Sequence, residues 1–273
     1  MQTGYYSAAG GMVTQFNRLN NIANNLANVN TIGFKQDNVI VGDFERLYQE
    51  ARDELPLKNQ TVEGAKFINR SMAKVPQIVD GYTDFTLGNL QKTENKLDFA
   101  LSKENLFFAV ETPEGVRLTR DGSFTLDDEG FLVNKQGHKV LPSDYFETEG
   151  YIKFDPQDTI VEADKNGKLY SALTGSLKMI EKKNILVLEP ENVDKLVKEG
   201  NSLFRPDESS ELKALTQTNS VRQGFVEKSN VNPITEMVAM IETNRLVGMY
   251  QKAMDTQMND LNRDAIEKIA VSR

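Results

Sequence analysis

Near the start of the chain, apolar side chains return at alternating intervals of four and three: Tyr5, Ala9, Met12, Phe16, Leu19, Ala23 and Leu26. That spacing holds them on one stripe of a helix and is the heptad seam of a coiled coil. Ile22 and Val29 widen the stripe. A second helical pattern fills the other end. Ile234, Met237, Val238 and Ile241 share one helix face, and the stripe resumes at Val247, Tyr250, Met254, Met258, Leu261, Ala265 and Ile269. Ser229-Asn-Val-Asn-Pro233 opens it with polar residues suited to an N-cap and a proline suited to the first turn. No proline follows, and at ~1.5 Å per residue the rod is roughly 55 Å long. A helix of that length needs a partner, and the helix at the opposite end of the chain supplies one.

Between the two helical patterns the period changes. Residues 37–81 are mixed, with a short helix expected over 44–52 and an extended charged connector over 54–79. From Thr83 onward the runs are short and strand-like: Leu106–Glu111, Val116–Arg120, Ser123–Leu126 and Phe131–Val133, then Tyr151–Phe154, Thr159–Glu162, Lys168–Tyr170, Gly175–Ile180 and Ile185–Leu188. Pro113-Glu-Gly115, Asp121-Gly122, Asp127-Asp-Glu-Gly130, Lys135-Gln-Gly137, Asp164-Lys-Asn-Gly167 and Lys182-Lys-Asn184 separate them. Asp-Gly between strands is a hairpin signal, because the tight turn requires positive φ. The expected fold is therefore α+β: N- and C-terminal helices paired as a coiled-coil domain, with an inserted antiparallel β-rich domain. The expected boundaries are 1–35 and 227–273 for the helical core, 36–82 for the connector and 83–226 for the β domain.

Composition narrows the function. A net charge of −8 argues against nucleic-acid binding, which depends on clustered Lys and Arg. No run approaches the ~20 apolar residues that span a bilayer, so no direct membrane insertion is expected. Cysteine is absent, which removes disulfides, thiolate catalysis and Cys-ligated metals. The opening residues have neither a basic nor an apolar signal region, so no cleaved secretory signal is expected.

The first helical pattern has an unusual polar face. Before Phe34 its only charged residue is Arg18, whereas asparagine stands at 17, 20, 21, 24, 25, 28 and 30. Solvated helix faces normally carry Lys, Glu and Arg. An amide face, able to donate and accept together, suits packing against other protein. Gly10-Gly11 argues the other way, towards a fraying end, since each glycine costs ~1 kcal/mol in a helix. Asn28-Val-Asn-Thr-Ile-Gly33-Phe34-Lys35 then closes the helix, with Gly33 as a left-handed cap.

The string from Asn24 through Gly33-Phe34-Lys35 closely resembles the N-terminal signature of the bacterial flagellar rod and hook axial proteins. Glu227 to Arg245 resembles that family's C-terminal signature. Leu97-Asp-Phe-Ala100 and Arg120-Asp-Gly-Ser-Phe124 are similar to strings of its rod members. One departure stands in the β region: Ser102-Lys-Glu-Asn-Leu106 precedes Phe107-Phe108 where the family commonly has a glycine-bearing turn, so this turn must be built differently.

The resemblance implies a structural axial subunit of the flagellar rod, with the proximal-rod type favoured and a distal-rod or hook-type axial protein as the alternative. It implies helical self-assembly and torque transmission from motor to hook. The implied partners are other rod subunits and adjacent axial proteins, and the flagellar export apparatus during secretion. The stripes and signatures together give an assembly core of Tyr5, Met12, Phe16, Leu19, Ala23, Asn25, Leu26, Asn28, Gly33, Phe34, Met237, Ile241, Arg245, Tyr250, Met254, Met258 and Leu261.

Catalytic and metal-binding patterns are weak. His138 is the only histidine, which leaves any triad or multi-histidine metal site resting on one residue beside a turn. Ser71-Met-Ala-Lys74 fits a Ser-x-x-Lys motif whose companion motifs are missing. Asp164-Lys-Asn166-Gly167 starts like a calcium loop but lacks the closing glutamate. Asp127, Asp128 and Glu129 read as a solvated hairpin tip. No phosphate loop or dinucleotide fingerprint occurs, so no cofactor and no enzyme activity are expected. The competing classes are a cytosolic coiled-coil adaptor, which should show charges flanking the seam, and a secreted β-domain enzyme, which should show convergent titratable groups.

Overall fold

A computed structural model describes residues 2–43, 76–146, 150–155, 158–173, 179–207, 212–215 and 219–271. The short helix expected over 44–52, most of the connector and Ser71-Lys74 lie outside the described residues. The described residues form two α-helices and many antiparallel strands, and the chain divides into two compact units. One comprises Met1–Ala27, Asp37–Tyr82 and Asn232–Arg273; the other comprises Asn28–Gln36 and Thr83–Val231.

The first unit is built on α1 (Gln2–Ala27) and α2 (Pro233–Val271). Asn232 caps α2: its Oδ1 accepts from the amides of Ile234 and Thr235, and Pro233 takes the first helical position, where its missing N–H costs nothing. The helices lie side by side and antiparallel. Gly4 abuts Gln257, Gly11 abuts Tyr250, and Asn25 reaches Glu236, so each step along α1 is matched by an equal step back along α2. Strands Gln36–Asp43 and Pro76–Asp84 pair with each other.

The side chains at the α1–α2 contact are not those of the apolar stripe. On α1 the least exposed positions are Ala8, Gly11, Thr14, Gln15, Ile22 and Asn25; on α2 they are Glu236, Thr243 and Val247, continued by half-buried Tyr250, Met254 and Gln257. Positions 8, 11, 15, 22 and 25 keep a heptad spacing, but one residue, about 100° of helix, before the expected seam. The physical reason is close approach. A Cβ on Gly11 would stand 2.6 Å from the Tyr250 ring, so only glycine lets the ring lie against the α1 backbone. Gly10-Gly11 therefore marks packing rather than fraying, and the helix continues through it. Gly33 is corrected too: α1 stops at Ala27, and Gly33 (φ 68°) sits in a later turn that belongs to the second unit.

The second unit is an antiparallel β structure around strand Phe107–Thr112. Its first four residues are buried on both faces. Phe108 and Val110 enter a core with Phe99, Phe124, Leu132 and Phe154; Phe107 and Ala109 enter another with Phe85, Leu118, Leu186 and Phe204. This strand pairs with Gly115–Thr119 through the expected turn at Pro113-Glu114. Asp164-Lys-Asn-Gly167 is likewise a hairpin turn, with Gly167 at φ 84° between Asp158–Ala163 and Leu169–Leu173.

Asp121-Gly122 is not the expected hairpin. Gly115–Thr119 pairs with Phe107–Thr112 and Leu203–Arg205, whereas Thr125–Leu126 pairs with Leu132–Val133. Gly122 is there for space: a Cβ would fall 1.8 Å from the Phe99 carbonyl oxygen. The two-residue turn with both φ positive is Asn201-Ser202 (50° and 57°), between Val197–Gly200 and Leu203–Arg205.

Candidate functional site: the signature junction and the helix pair

In the second unit, the strings that carry the resemblance meet around one carboxylate. Glu227 ends strand Phe225–Glu227, which pairs with Leu90–Lys92, and its side chain is 1% exposed. Oε1 accepts from Lys35 Nζ at 2.7 Å and from the Gly88 amide at 2.9 Å. Oε2 accepts from Arg120 Nε at 2.7 Å; Arg120 Nη2 lies equally close, within ion-pair reach but off its N–H direction. The Glu227 carbonyl takes the Gly33 amide at 2.8 Å. Gly33 fits because a Cβ would sit 2.3 Å from the Asp121 amide nitrogen.

Around this centre, Lys35 Nζ also donates to the Thr86 carbonyl. Lys198 Nζ donates to the Lys35 carbonyl and stands 3.7 Å from the centre of the Phe34 ring. Ser202, in the Asn201-Ser202 turn, donates to the Ile32 carbonyl. Asn230 accepts the Gln36 amide and donates to the Asp84 carbonyl. The Leu97–Ala100 and Arg120–Phe124 strings bond to each other, Phe99 N to Gly122 O and Phe124 N to Leu97 O. Arg120 Nη1 donates to the carbonyls of Lys103 and Leu106, so a buried guanidinium braces the 102–106 turn that lacks the family's glycine.

Two buried cations share one carboxylate. Burial pushes the Lys35 ammonium below its ordinary pKa of 10.5, and the Arg120 charge adds to this against the pull of Glu227 and Asp84. Burial likewise lowers Arg120, opposed by Glu227. Between the lowered native pKa of Lys35 and 10.5, the unfolded chain binds more protons than the native one. The Lys35 contribution to stability therefore rises as pH climbs through that window. Urea titrations across alkaline pH should show this slope in the parent chain and its loss in Lys35→Met.

In the first unit, Asn25 is 1% exposed and holds Asp37 like a strand neighbour, donating to its carbonyl at 2.8 Å and accepting its amide at 3.0 Å. It also donates to Glu236 Oε2. Asn25→Leu strands both backbone groups and should cost about 1–3 kcal/mol, read as a lower urea midpoint at unchanged m-value.

The other expected site residues are scattered between these two places and the surface. Phe34 is buried at the junction; Tyr250 and Met254 lie along the helix contact. Tyr5, Met12, Leu19, Ala23, Leu26 and Asn28 are half-buried. Phe16, Met237, Ile241, Arg245 and Met258 are exposed, and the Leu261 side chain lies outside the described residues. Lys35, Arg120 and Glu227 were not expected as a cluster. One signal pointed to Lys35: with Arg18 it is one of two charged residues among the first 35. His138 sits in a turn with its amide on Asn134, and Asp127 accepts the amides of Glu129 and Phe131 as a turn residue does.

Three family descriptions match the chain: "Flagella basal body rod protein" over residues 6–35, "Flagellar hook protein FlgE/F/G D1 domain" over 105–171 and "Flagellar basal body rod FlgEFG protein C-terminal" over 222–266. Among curated relatives, the flagellar basal-body rod protein FlgF of Caulobacter vibrioides is 30% identical over 269 residues, 98% of each chain. FlgF of Rhizobium meliloti is 31% identical over the full length of both chains, and FlgG of Borreliella burgdorferi is 32% identical over 96% of this chain and 97% of its own.

The chain belongs to the flagellar basal-body rod protein family, of the FlgF/FlgG type. It is a structural subunit of the rod in the bacterial flagellar basal body. Among the described residues, no helix is long and apolar enough to cross a membrane.

Proposed function

We propose that the two ends of the chain, within the expected bounds 1–35 and 227–273, form a coiled-coil core through α1 and α2, and that residues 36–82 connect it to an inserted β-rich domain, 83–226, which also takes in 28–35 and 227–231. Subunits stack through this core into a helical shaft that carries torque from motor to hook. The proximal rod is the favoured position, and the subunit leaves the cell through the flagellar export apparatus to join rod subunits and adjacent axial proteins. The catalytic inventory gives no reason to add an enzymatic role.

The observation that carries this reading is the displaced helix contact. The apolar heptad from Tyr5 to Leu26 lies beside the α1–α2 seam instead of inside it, and Ile234, Met237, Val238 and Ile241 stand 50–73% exposed on α2. Apolar surface left uncovered in one chain drives association. Contacts of this heterologous kind, which do not close into a ring, propagate as a helix.

Phe16→Asp tests it. Phe16 is 41% exposed in the single chain, so the variant should keep the stability of the parent monomer yet fail to polymerise. Polymerisation at the parent level, measured by sedimentation, rules the stripe out as an assembly surface. The intrachain pairing has its own test, since the chain has no cysteine. By the register above, Ile22 stands opposite Ala239 and one residue from Met240, so Ile22→Cys is paired with Met240→Cys. This pair should cross-link within one chain, whereas cross-linking solely between chains disproves the pairing.

A further inference from the structure

Helix α1 has three distinct faces. One is the contact with α2, marked by Ala8, Gly11, Gln15, Ile22 and Asn25. About 100° away is the apolar heptad containing Met12, Leu19 and Leu26. Beyond that lies an exposed face without charge, formed by Tyr6, Val13, Asn17, Asn20 and Ala27. The outer face of α2 differs: it carries Glu242, Arg245, Lys252, Asp255, Asp260 and Arg263. Burying that mixture would desolvate several charges, whereas the α1 faces have none to desolvate.

A second observation comes from inside the seam. Gln15 is 7% exposed, and its Oε1 is shielded from solvent with no donor among the described residues. By the helix register it stands opposite Leu246 and next to Val247, whose side chains can offer none. On the helix it lies at the edge of the seam nearest the apolar heptad. A buried amide oxygen without a donor costs about 1–3 kcal/mol, so the described residues leave an unmet demand at that edge.

We propose that a second copy of this chain lays the amide face of its own α1, through Asn17 and Asn20, along the apolar heptad of this α1, and that Gln15 receives a donor from it. The proposal rests on the coiled-coil reading above and names which face meets which. A carboxamide NH₂ of Asn17 or Asn20 supplies the missing donor. The terminal amide of Gln15 turns about its last side-chain torsion, a broad rotor, to present the oxygen outward. The contact joins two different faces of the same helix. Each added copy therefore leaves one of each face free, and growth does not terminate. It also continues the existing α1–α2 seam by one more helix.

The full-length chain tests this in two ways. Gln15→Leu removes the unmet acceptor, so the monomer should melt no earlier than the parent while polymer yield falls at least tenfold. Parent-level polymer from Gln15→Leu, or an earlier monomer melt, defeats the proposal. In the second test, chains carrying Leu19→Cys are mixed with chains carrying Asn17→Cys under polymerising conditions. The mixture should give at least tenfold more disulfide dimer than either variant alone. Equal dimer from Asn17→Cys alone means a symmetric contact, and preferential cross-linking of Leu19→Cys to Ile241→Cys means that α2 is the occupant; both overturn the assignment. Loss of the intrachain Ile22–Met240 cross-link would instead sink the helix-pair reading itself, so the two failures are separable.

Discussion

Glu227→Gln is expected to destabilise the β-rich unit by about 3–5 kcal/mol, the cost of removing one member of a buried ion pair. Its two carboxylate oxygens serve Lys35, Arg120 and the Gly88 amide, at 2.7 to 2.9 Å. Without the negative charge, the Lys35 ammonium and the Arg120 guanidinium share a place where both side chains are fully buried. The neighbouring substitutions should be milder and ordered. Lys35→Met leaves a matched Arg120–Glu227 pair and should cost least. Arg120→Met leaves Lys35 paired but frees the carbonyls of Lys103 and Leu106, so it should fall between. Urea unfolding of the full chain, followed by near-UV signal from the buried aromatics, ranks the three. Equal losses would mean that packing, and not charge balance, holds the junction together.

Gly11→Val is expected to force the two helices apart and abolish polymerisation. Its Cβ would meet Cε1 and Cζ of Tyr250 at 2.6 and 2.7 Å, so the half-buried ring must move or the helices must part. Overpacking of this kind costs about 1–3 kcal/mol, offset only by roughly a few tenths of a kcal/mol that exchanging glycine for valine returns to the helix. The balance can be separated experimentally. Tyr250→Ala added to Gly11→Val should restore polymer and the intrachain Ile22–Met240 cross-link. If the double variant is as defective as Gly11→Val alone, the contact between the glycine and the ring is not what sets the helix spacing.

The junction explains why the resemblance-bearing strings lie so far apart in the chain. Gly33-Phe34-Lys35, Leu97–Ala100, Arg120–Phe124 and Glu227 are bound to one another or to a shared neighbour within one unit. The roles of these charges are positional: within the β-rich unit Glu227 holds Gly33 and Lys35, and Lys198 and Ser202 clamp the same segment through its carbonyls.

Both helices, the cap at Asn232-Pro233, the antiparallel character of the β region and the turns at Pro113-Glu114 and Asp164–Gly167 are legible in the residues themselves. Each follows from local chemistry, a period of side chains or a residue suited to one dihedral region. Tertiary structure alone decided which of two adjacent heptads on α1 faces α2. Apolar spacing favoured Tyr5 to Leu26, but backbone approach over Gly4 and Gly11 selected the positions one residue earlier, a seam of small and polar side chains that periodicity does not register. It also decided that Gly122 answers to the Phe99 carbonyl and not to a hairpin, and that Gly33 answers to Asp121 and not to a helix end. A glycine in a sequence announces that space or φ is needed. What fills the space comes from residues distant in the chain, and only the folded packing identifies them.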